Sequence, residues 1–246
     1  MEMQYKRYNE KAEYSYCFGP FPTFELLENR PERAVEVLYH SAVTDAIREK
    51  LERLCQTQGI PCTRADRVIE RIRDKENCLV AGVFHKYEGE LKRETDHIVL
   101  VSPSDMGNLG TIIRTSVGFG VCDMALIRPA AHICHPRTVR ASMGSLFRLR
   151  FRYYDSFEEY AAEFAGEREL YPFMLEGSKG LDEIRRRREA PFSLIFGNEA
   201  TGLPATFASV GQSVRIRHTD SIDSLNLSLA AGIGLYEFTK KWQEFD

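Results

Sequence analysis

The stretch HIVLVSPSDMGNLGTIIRTSVGFG, residues 97 to 120, decides the fold class. It opens on a continuous apolar run, HIVLV, of the kind that marks a strand buried on both faces of a parallel sheet. A polar, glycine-containing turn follows, and the apolar spacing then predicts a glycine-interrupted helix from about Asn108 to Val117. A turn at the carboxyl end of a strand, leading into a helix N-terminus, aims backbone N–H groups at an anion or a ligand. The spacing Gly107-x-x-Gly110 is not the GxGxxG fingerprint, so a nicotinamide-dependent oxidoreductase on a Rossmann sheet is poorly supported. Arg114 lies among Ile112, Ile113 and Val117, where a guanidinium needs a partner, and taken alone it reads as a structural ion pair.

Toward the carboxyl end, DMALIRP (123–129) reads as a strand, TVRASMGS (138–145) as a short helix and FRLRFRYY (147–154) as a strand. SFEEYAAEF (156–164) reads as a helix opened by a capping box of Ser156 and Glu159. LYPFML, FSLIFG and SVRIR are expected as strands of four to six residues, before a long helix from about Leu225 to Trp242. Alternating strands and helices imply a mostly parallel sheet with helices on both faces. Toward the amino end, a helix is expected over Thr23 to Asn29, a strand at AVEVLYH (34–40), and a helix from Asp45, its expected N-cap, to a stop at Gly59. IPCT, Asp66 to Arg73 and LVAGVFHKY add a strand, a helix and a strand, which makes a small α/β domain over residues 1–90. The charged run KYEGELKRETD (86–96) reads as a linker to a second domain over 96–246.

The 246-residue chain carries 33 Lys and Arg against 36 Asp and Glu, and this net charge of −3 argues against coating nucleic acid through bulk charge. A focused basic patch is still compatible with it: Arg128, Arg137, Arg140, Arg148, Arg150 and Arg152 crowd one stretch, and Arg185 to Arg188 form a separate run, read as a solvated face. Six cysteines stand singly, without CxxC or a tight Cys/His cluster, so they read as plain thiols and no metal is expected. No apolar run approaches the roughly 20 residues a membrane span needs, and the first residues are unlike a secretory signal, so a cytoplasmic protein is expected.

Two more runs pair polar residues with strand ends. SLIFGNEATGLP (193–204) breaks a buried strand into a loop carrying Asn198 and Glu199, a carboxylate suited equally to holding a loop or working in a site. SVRIRHTDSIDSLNLSLAAGIGLYEF starts a helix near Ser224, Leu225 and Asn226, and its small residues Ala230, Ala231, Gly232 and Gly234 permit close packing. Together, NLGTIIRT, LIFGNEATGL and SLNLSLAAGIGLYE resemble, in order and interval, the three motifs of the SpoU-type (TrmH-like) RNA ribose 2′-O-methyltransferases of the SPOUT superfamily. The likeness covers roughly 96 to 246; residues 20 to 85 resemble, more weakly, the family's amino-terminal RNA-binding domain of ribosomal-protein type.

The resemblance implies an α/β protein: a C-terminal SPOUT domain with a mostly parallel sheet, helices on both faces and a C-terminal trefoil knot, preceded by a small α/β ribosomal-protein-like domain. It implies S-adenosyl-L-methionine as cofactor, an rRNA or tRNA substrate, and a homodimer with its active site at the subunit interface. Carried over, Asn108, Arg114, Glu199, Ser224 and Asn226 would form the catalytic site. Leu175, Gly177, Gly197, Asn198, Ile216 and Leu225 would hold the cofactor, and Arg137, Arg140 and Arg148, expected beside the site entrance, would meet RNA. An alternative is a knotted cofactor- or RNA-binding module without turnover. Two departures stand out: Arg217-His218 where the family commonly has Pro-Met, and ENCLVAGVFH near 76 to 85 where many relatives carry His-Gln-Gly.

Overall fold

The computed structural model describes residues 5–184 and 190–240, which leaves the Arg185 to Arg188 run and Trp242 outside the described residues. The chain forms two compact units: Met1–Tyr87 with His132–Arg148, and Glu88–Ala131 with Leu149–Asp246. The step from one unit to the other falls inside the expected linker, but residues 132–148 leave the second unit's run of chain and pack with the first.

The first unit holds strands β1 (Tyr14–Phe18), β2 (Ala34–Tyr39), β3 (Cys62–Arg64) and β4 (Val80–His85) in the order β1-β4-β2-β3. Strand β4 runs antiparallel to both neighbours and β3 parallel to β2. Helices α1 (Pro20–Asn29), α2 (Asp45–Gln58) and α3 (Asp66–Ile72) fall where apolar spacing places them. Thr44, not Asp45, is the N-cap of α2, and Asp45 occupies its first turn, where a carboxylate favours the helix dipole. Gly59 ends α2 in the left-handed region at φ 67°. The following helix of the chain in this unit, at Pro136–Ala141, packs on β1, and Ser15 Oγ donates to the Cys134 carbonyl.

The second unit is a five-stranded, wholly parallel sheet. Its strands are β5 (His97–Val101), β6 (Asp123–Ile127), β7 (Arg150–Tyr154), β8 (Glu169–Pro172) and β10 (Phe192–Phe196), in the order β7-β6-β5-β10-β8. Two residues each of β9 (Lys179–Gly180) and β11 (Val214–Arg215) pair separately, so SVRIR is not the four-to-six-residue strand its composition predicts. Numbering the helix at Pro136–Ala141 as α5, this unit contains α4 (Met106–Gly118), α6 (Phe157–Phe164) and α7 (Leu227–Thr239). Val99, Ala125 and Ile195 bury one face of the sheet against Phe157, Tyr160 and Phe164 of α6. Phe196 points to the other face, as strand alternation requires, and meets α7 at Gly234, where an added Cβ would lie 2.8 Å from the Phe173 ring. The small residues of α7 therefore serve close packing inside the chain. All six cysteines are free thiols, and no described helix is long and apolar enough to cross a membrane.

At the amino end of this sheet lies a buried polar network. His97, fully buried, directs Nε2 at the Lys92 carbonyl at 2.8 Å, which requires the N–H there and makes Nδ1 the acceptor for Tyr160 Oη at 2.9 Å. Tyr160 in turn meets Ser193 Oγ at 2.6 Å, and Arg168 reaches the Arg93 carbonyl at 2.8 Å. Burial, then the Arg168 guanidinium, lower the His97 pKa to about 4. The folded protein thus binds this proton less readily than the unfolded chain, so its contribution to stability is complete above pH ~6.5 and is lost as pH falls toward 4. That loss is about 3 kcal/mol at most. Urea midpoints of a His97→Gln variant should fall less than the parent's between pH 6.5 and 4; parallel losses would remove His97 as the cause.

Candidate active site

The carboxyl ends of β8 and β10 open into a pocket of about 380 Å³. Ligands of open parallel sheets bind at such strand ends. Phe173, Phe196, Leu203, Ile216 and Leu225 give it apolar walls, and among the described residues its charged lining consists of Glu176 and Glu199, with no lysine or arginine. Of the residues expected to hold a cofactor, Leu175, Gly197, Asn198, Ile216 and Leu225 line this pocket. Gly177 does not, but it packs against the segment that does, since an added Cβ would lie 2.4 Å from the Val214 carbonyl carbon.

Asn198 and Glu199 work as a clamp. Asn198 exchanges backbone hydrogen bonds with Gly202, its Oδ1 accepts from the Ala200 N–H at 2.9 Å, and its Nδ2 donates to the Ser102 carbonyl at 2.8 Å. Glu199 accepts from Ser104 N–H at 3.0 Å, Ser104 Oγ at 2.8 Å and Asp105 N–H at 3.0 Å. Burial acts to raise the Glu199 carboxyl, yet the Ser104 and Asp105 N–H donors outweigh it and hold its pKa below the ordinary glutamate value. Of the two readings of this carboxylate, the geometry shows loop holding.

That clamp fixes the entry to α4. Asp105 is its N-cap, accepting from the Asn108 N–H at 2.7 Å, so the helix begins two residues ahead of the expected Asn108. Asn226, the N-cap of α7, donates from Nδ2 to Asn108 Oδ1 at 3.1 Å and accepts from the Ser228 N–H at 2.9 Å. The N-termini of α4 and α7 are thereby joined, with Ser224 lining the adjacent pocket wall. Arg114 stands apart: it does not line the pocket, it is exposed, and it has no hydrogen bond or ion pair to a described residue. Its expected ion pair is absent because the helix turns it toward solvent, away from buried Ile112 and Ile113.

The arginine-rich stretch is largely neutralised. Arg128 pairs with Asp155 at 3.2 Å, Arg150 with buried Asp123 through Nε at 2.8 Å, and Arg152 with Glu90 at 3.0 Å. In the first unit, Arg140 pairs with Asp74, the ordinary alternative for that residue, and Arg148 with Glu25 at 2.6 Å, while Arg137 is exposed. All three expected RNA contacts thus belong to the unit that contains residues 132–148, not to the unit that contains the pocket. At the Arg217-His218 departure, Arg217 pairs with Asp182 at 3.4 Å and with Glu183, while His218 lines the pocket rather than standing on open surface. Sequence reasoning missed Ser104 and Asp105, although Asp ahead of an apolar run is a legible cap signal. It also missed Ser102, held at φ 54°, which has no sequence signal because the Asn198 bond imposes it.

Comparison with known proteins gives the chain's relatives. A ribosomal RNA small subunit methyltransferase of Syntrophobacter fumaroxidans is 32% identical over 142 residues, 58% of this chain but 27% of that protein. The chain likewise spans only about half, 51%, of a second such relative. A 23S rRNA (guanosine-2′-O-)-methyltransferase of Acinetobacter baylyi is 25% identical over 247 residues, covering 92% of this chain and 97% of the relative. The structure of an AdoMet-bound rRNA methyltransferase from Sinorhizobium meliloti superposes with a TM-score of 0.80 at 25% identity, covering 95% of this chain and 89% of the other. With residues 96–236, more than half of its length, matching the SpoU rRNA Methylase family, the chain belongs to that family.

Proposed function

We propose that this protein is an S-adenosyl-L-methionine-dependent RNA methyltransferase that methylates a ribose 2′-hydroxyl of rRNA or tRNA. The observation that carries the reading is the pocket at the strand ends, with carboxylates and, among the described residues, no lysine or arginine in its lining, set against the Asn108–Asn226 junction. Its volume falls in the roughly 300–1,000 Å³ range of small-molecule sites. Apolar walls suit an adenine ring, and Glu176 and Glu199 suit a sulfonium. When bound, the cofactor would supply an electrophilic methyl group to the ribose 2′-oxygen, with the thioether S-adenosylhomocysteine as leaving group and the hydroxyl proton passing to solvent. The guanosine 2′-O activity in the Acinetobacter relative's name and the AdoMet in the Sinorhizobium structure support the assignment.

The chain's own residues would bind and orient. Leu175, Ile216 and Leu225 would enclose the cofactor, Gly197 lines the same pocket, Gly177 lets the neighbouring backbone pack behind it, and Asn198 and Glu199 hold the two loops in register. Asn108, Ser224 and Asn226 line the approach of the ribose. Arg114, always protonated, is unsuited as a base; it clamps the neighbouring phosphate and favours the developing alkoxide. Its place outside the pocket lining supports a site completed in a homodimer. The exposed residues Leu229, Ile233 and Tyr236, one stripe of α7, provide an apolar face for that dimer. The segment from β11 through α7 would form the trefoil knot. The first unit, with Arg137, Arg140 and Arg148, would receive RNA in the cytoplasm.

Labelled S-adenosylmethionine incubated with unmodified rRNA and tRNA pools tests this. Label should enter one pool at a nucleotide whose 3′ bond resists alkaline cleavage, the signature of a blocked 2′-oxygen. Label on a base, or on neither pool, would sink the assignment.

A further inference from the structure

Among the described residues, the exposed large apolar side chains have evident places except two. Leu229, Ile233 and Tyr236 share the α7 stripe, Leu175 lines the pocket, and Ile222 lies on the loop before α7; Phe21 and Met143 remain, 65% and 39% exposed. Both belong to the first unit, and the fold brings their chain segments together. Gly144 packs so tightly on α1 that an added Cβ would lie 2.8 Å from Pro22 Cα and 2.8 Å from Glu25 Cβ. Phe21 and Met143 immediately precede Pro22 and Gly144, so they flank this contact. Met143 holds φ 52° and Gly144 φ 84°, a left-handed pair that a methionine adopts at a cost.

A cation stands at the same place. Glu25 lies four residues after Phe21, on the same side of α1, and binds Arg148 through Nε at 2.6 Å and Nη2 at 3.1 Å. The bidentate pair fixes the plane of the guanidinium while leaving the Arg148 side chain 47% exposed. A flat aromatic face, a polarisable thioether and the oriented plane of a guanidinium, its charge met by Glu25, are surfaces on which a splayed-out base stacks.

We propose that Phe21, Met143 and Arg148 form a stacking platform for an unpaired nucleotide of the RNA, a surface that rests on the RNA reading above and names where the first unit grips its substrate. The sequence contains one tryptophan, Trp242, so Phe21→Trp combined with Trp242→Phe gives a single emitter on the platform. Titrated with a single-stranded oligoadenylate, that emission should be quenched saturably. By anisotropy, Phe21→Ala should bind the same oligonucleotide about 5- to 100-fold more weakly, the scale of one lost stack. Its melting temperature and S-adenosylmethionine affinity should match the parent's. Unquenched emission at saturating RNA, or unchanged affinity in the alanine variant, overturns the platform. So does a Phe21→Ala variant that keeps its RNA affinity but loses self-association in sedimentation, since the patch is then a protein contact. Methyl transfer by the parent with these results removes the platform alone, whereas quenching without methyl transfer to any RNA keeps the platform and removes the enzymatic reading.

Discussion

Replacing Arg114 by alanine should lower the methylation rate by about 10² or more while S-adenosylmethionine affinity stays at the parent value. The guanidinium is exposed on α4, lies outside the pocket lining and bonds to no described residue, so its removal leaves the pocket untouched. No described residue pairs with its charge. The role proposed for it is toward the reacting RNA, where a cation beside the 2′-oxygen would stabilise the transition state more than the bound ground state. Lysine at this position should recover only part of the rate, because it supplies the charge without the planar fork that fits a phosphate. Single-turnover rates together with calorimetry separate the two effects. A fall in cofactor affinity as large as the fall in rate would contradict the assigned role.

Substituting Gly197 by valine should abolish cofactor binding, a loss of more than about 10²-fold in affinity. A Cβ here would lie 2.2 Å from the Gly202 carbonyl carbon and 2.3 Å from the Leu203 nitrogen, and both obstacles are backbone. The 198–202 turn would have to move, taking with it the Asn198 and Glu199 bonds that hold the Ser102–Asp105 loop. Circular dichroism and the melting temperature establish whether the sheet persists, since β10 ends just before the turn. A folded Gly197→Val protein with parental affinity would remove Gly197 from the pocket.

How much of this was legible in the sequence depends on the range of the forces involved. HIVLV, DMALI and FSLIF announced β5, β6 and β10 because strands buried on both faces need uninterrupted apolar runs. Ser156 announced α6, although Glu159 closes on the Asp155 N–H rather than on that of the cap itself. The pocket walls at Gly197, Ile216 and Leu225 came from the resemblance to the SpoU motifs, not from local pattern. Strand β1, YSYCF, is not among the strands read from the sequence; its place is set by pairing with β4, more than sixty residues away. The arginines of 128–152 looked like a patch because their carboxylate partners, among them Glu25, Asp74 and Glu90, are remote in sequence. Charge counted along a chain cannot show charge cancelled across a fold.

The excursion of residues 132–148 also bears on how this protein can be taken apart. The backbone passes between the two units three times, at Tyr87–Glu88, Ala131–His132 and Arg148–Leu149. Neither unit is a detachable cassette. A gene fragment ending at residue 90 would leave β1 without α5 and Ser15 without its Cys134 acceptor, while the complementary fragment would carry α5 with nothing to cover it. Recombination that grafted this sheet onto another amino-terminal module would have to exchange an internal seventeen-residue loop as well, at two joints chosen together. A truncation or graft that keeps each unit's packing must therefore carry residues 132–148 with the first unit.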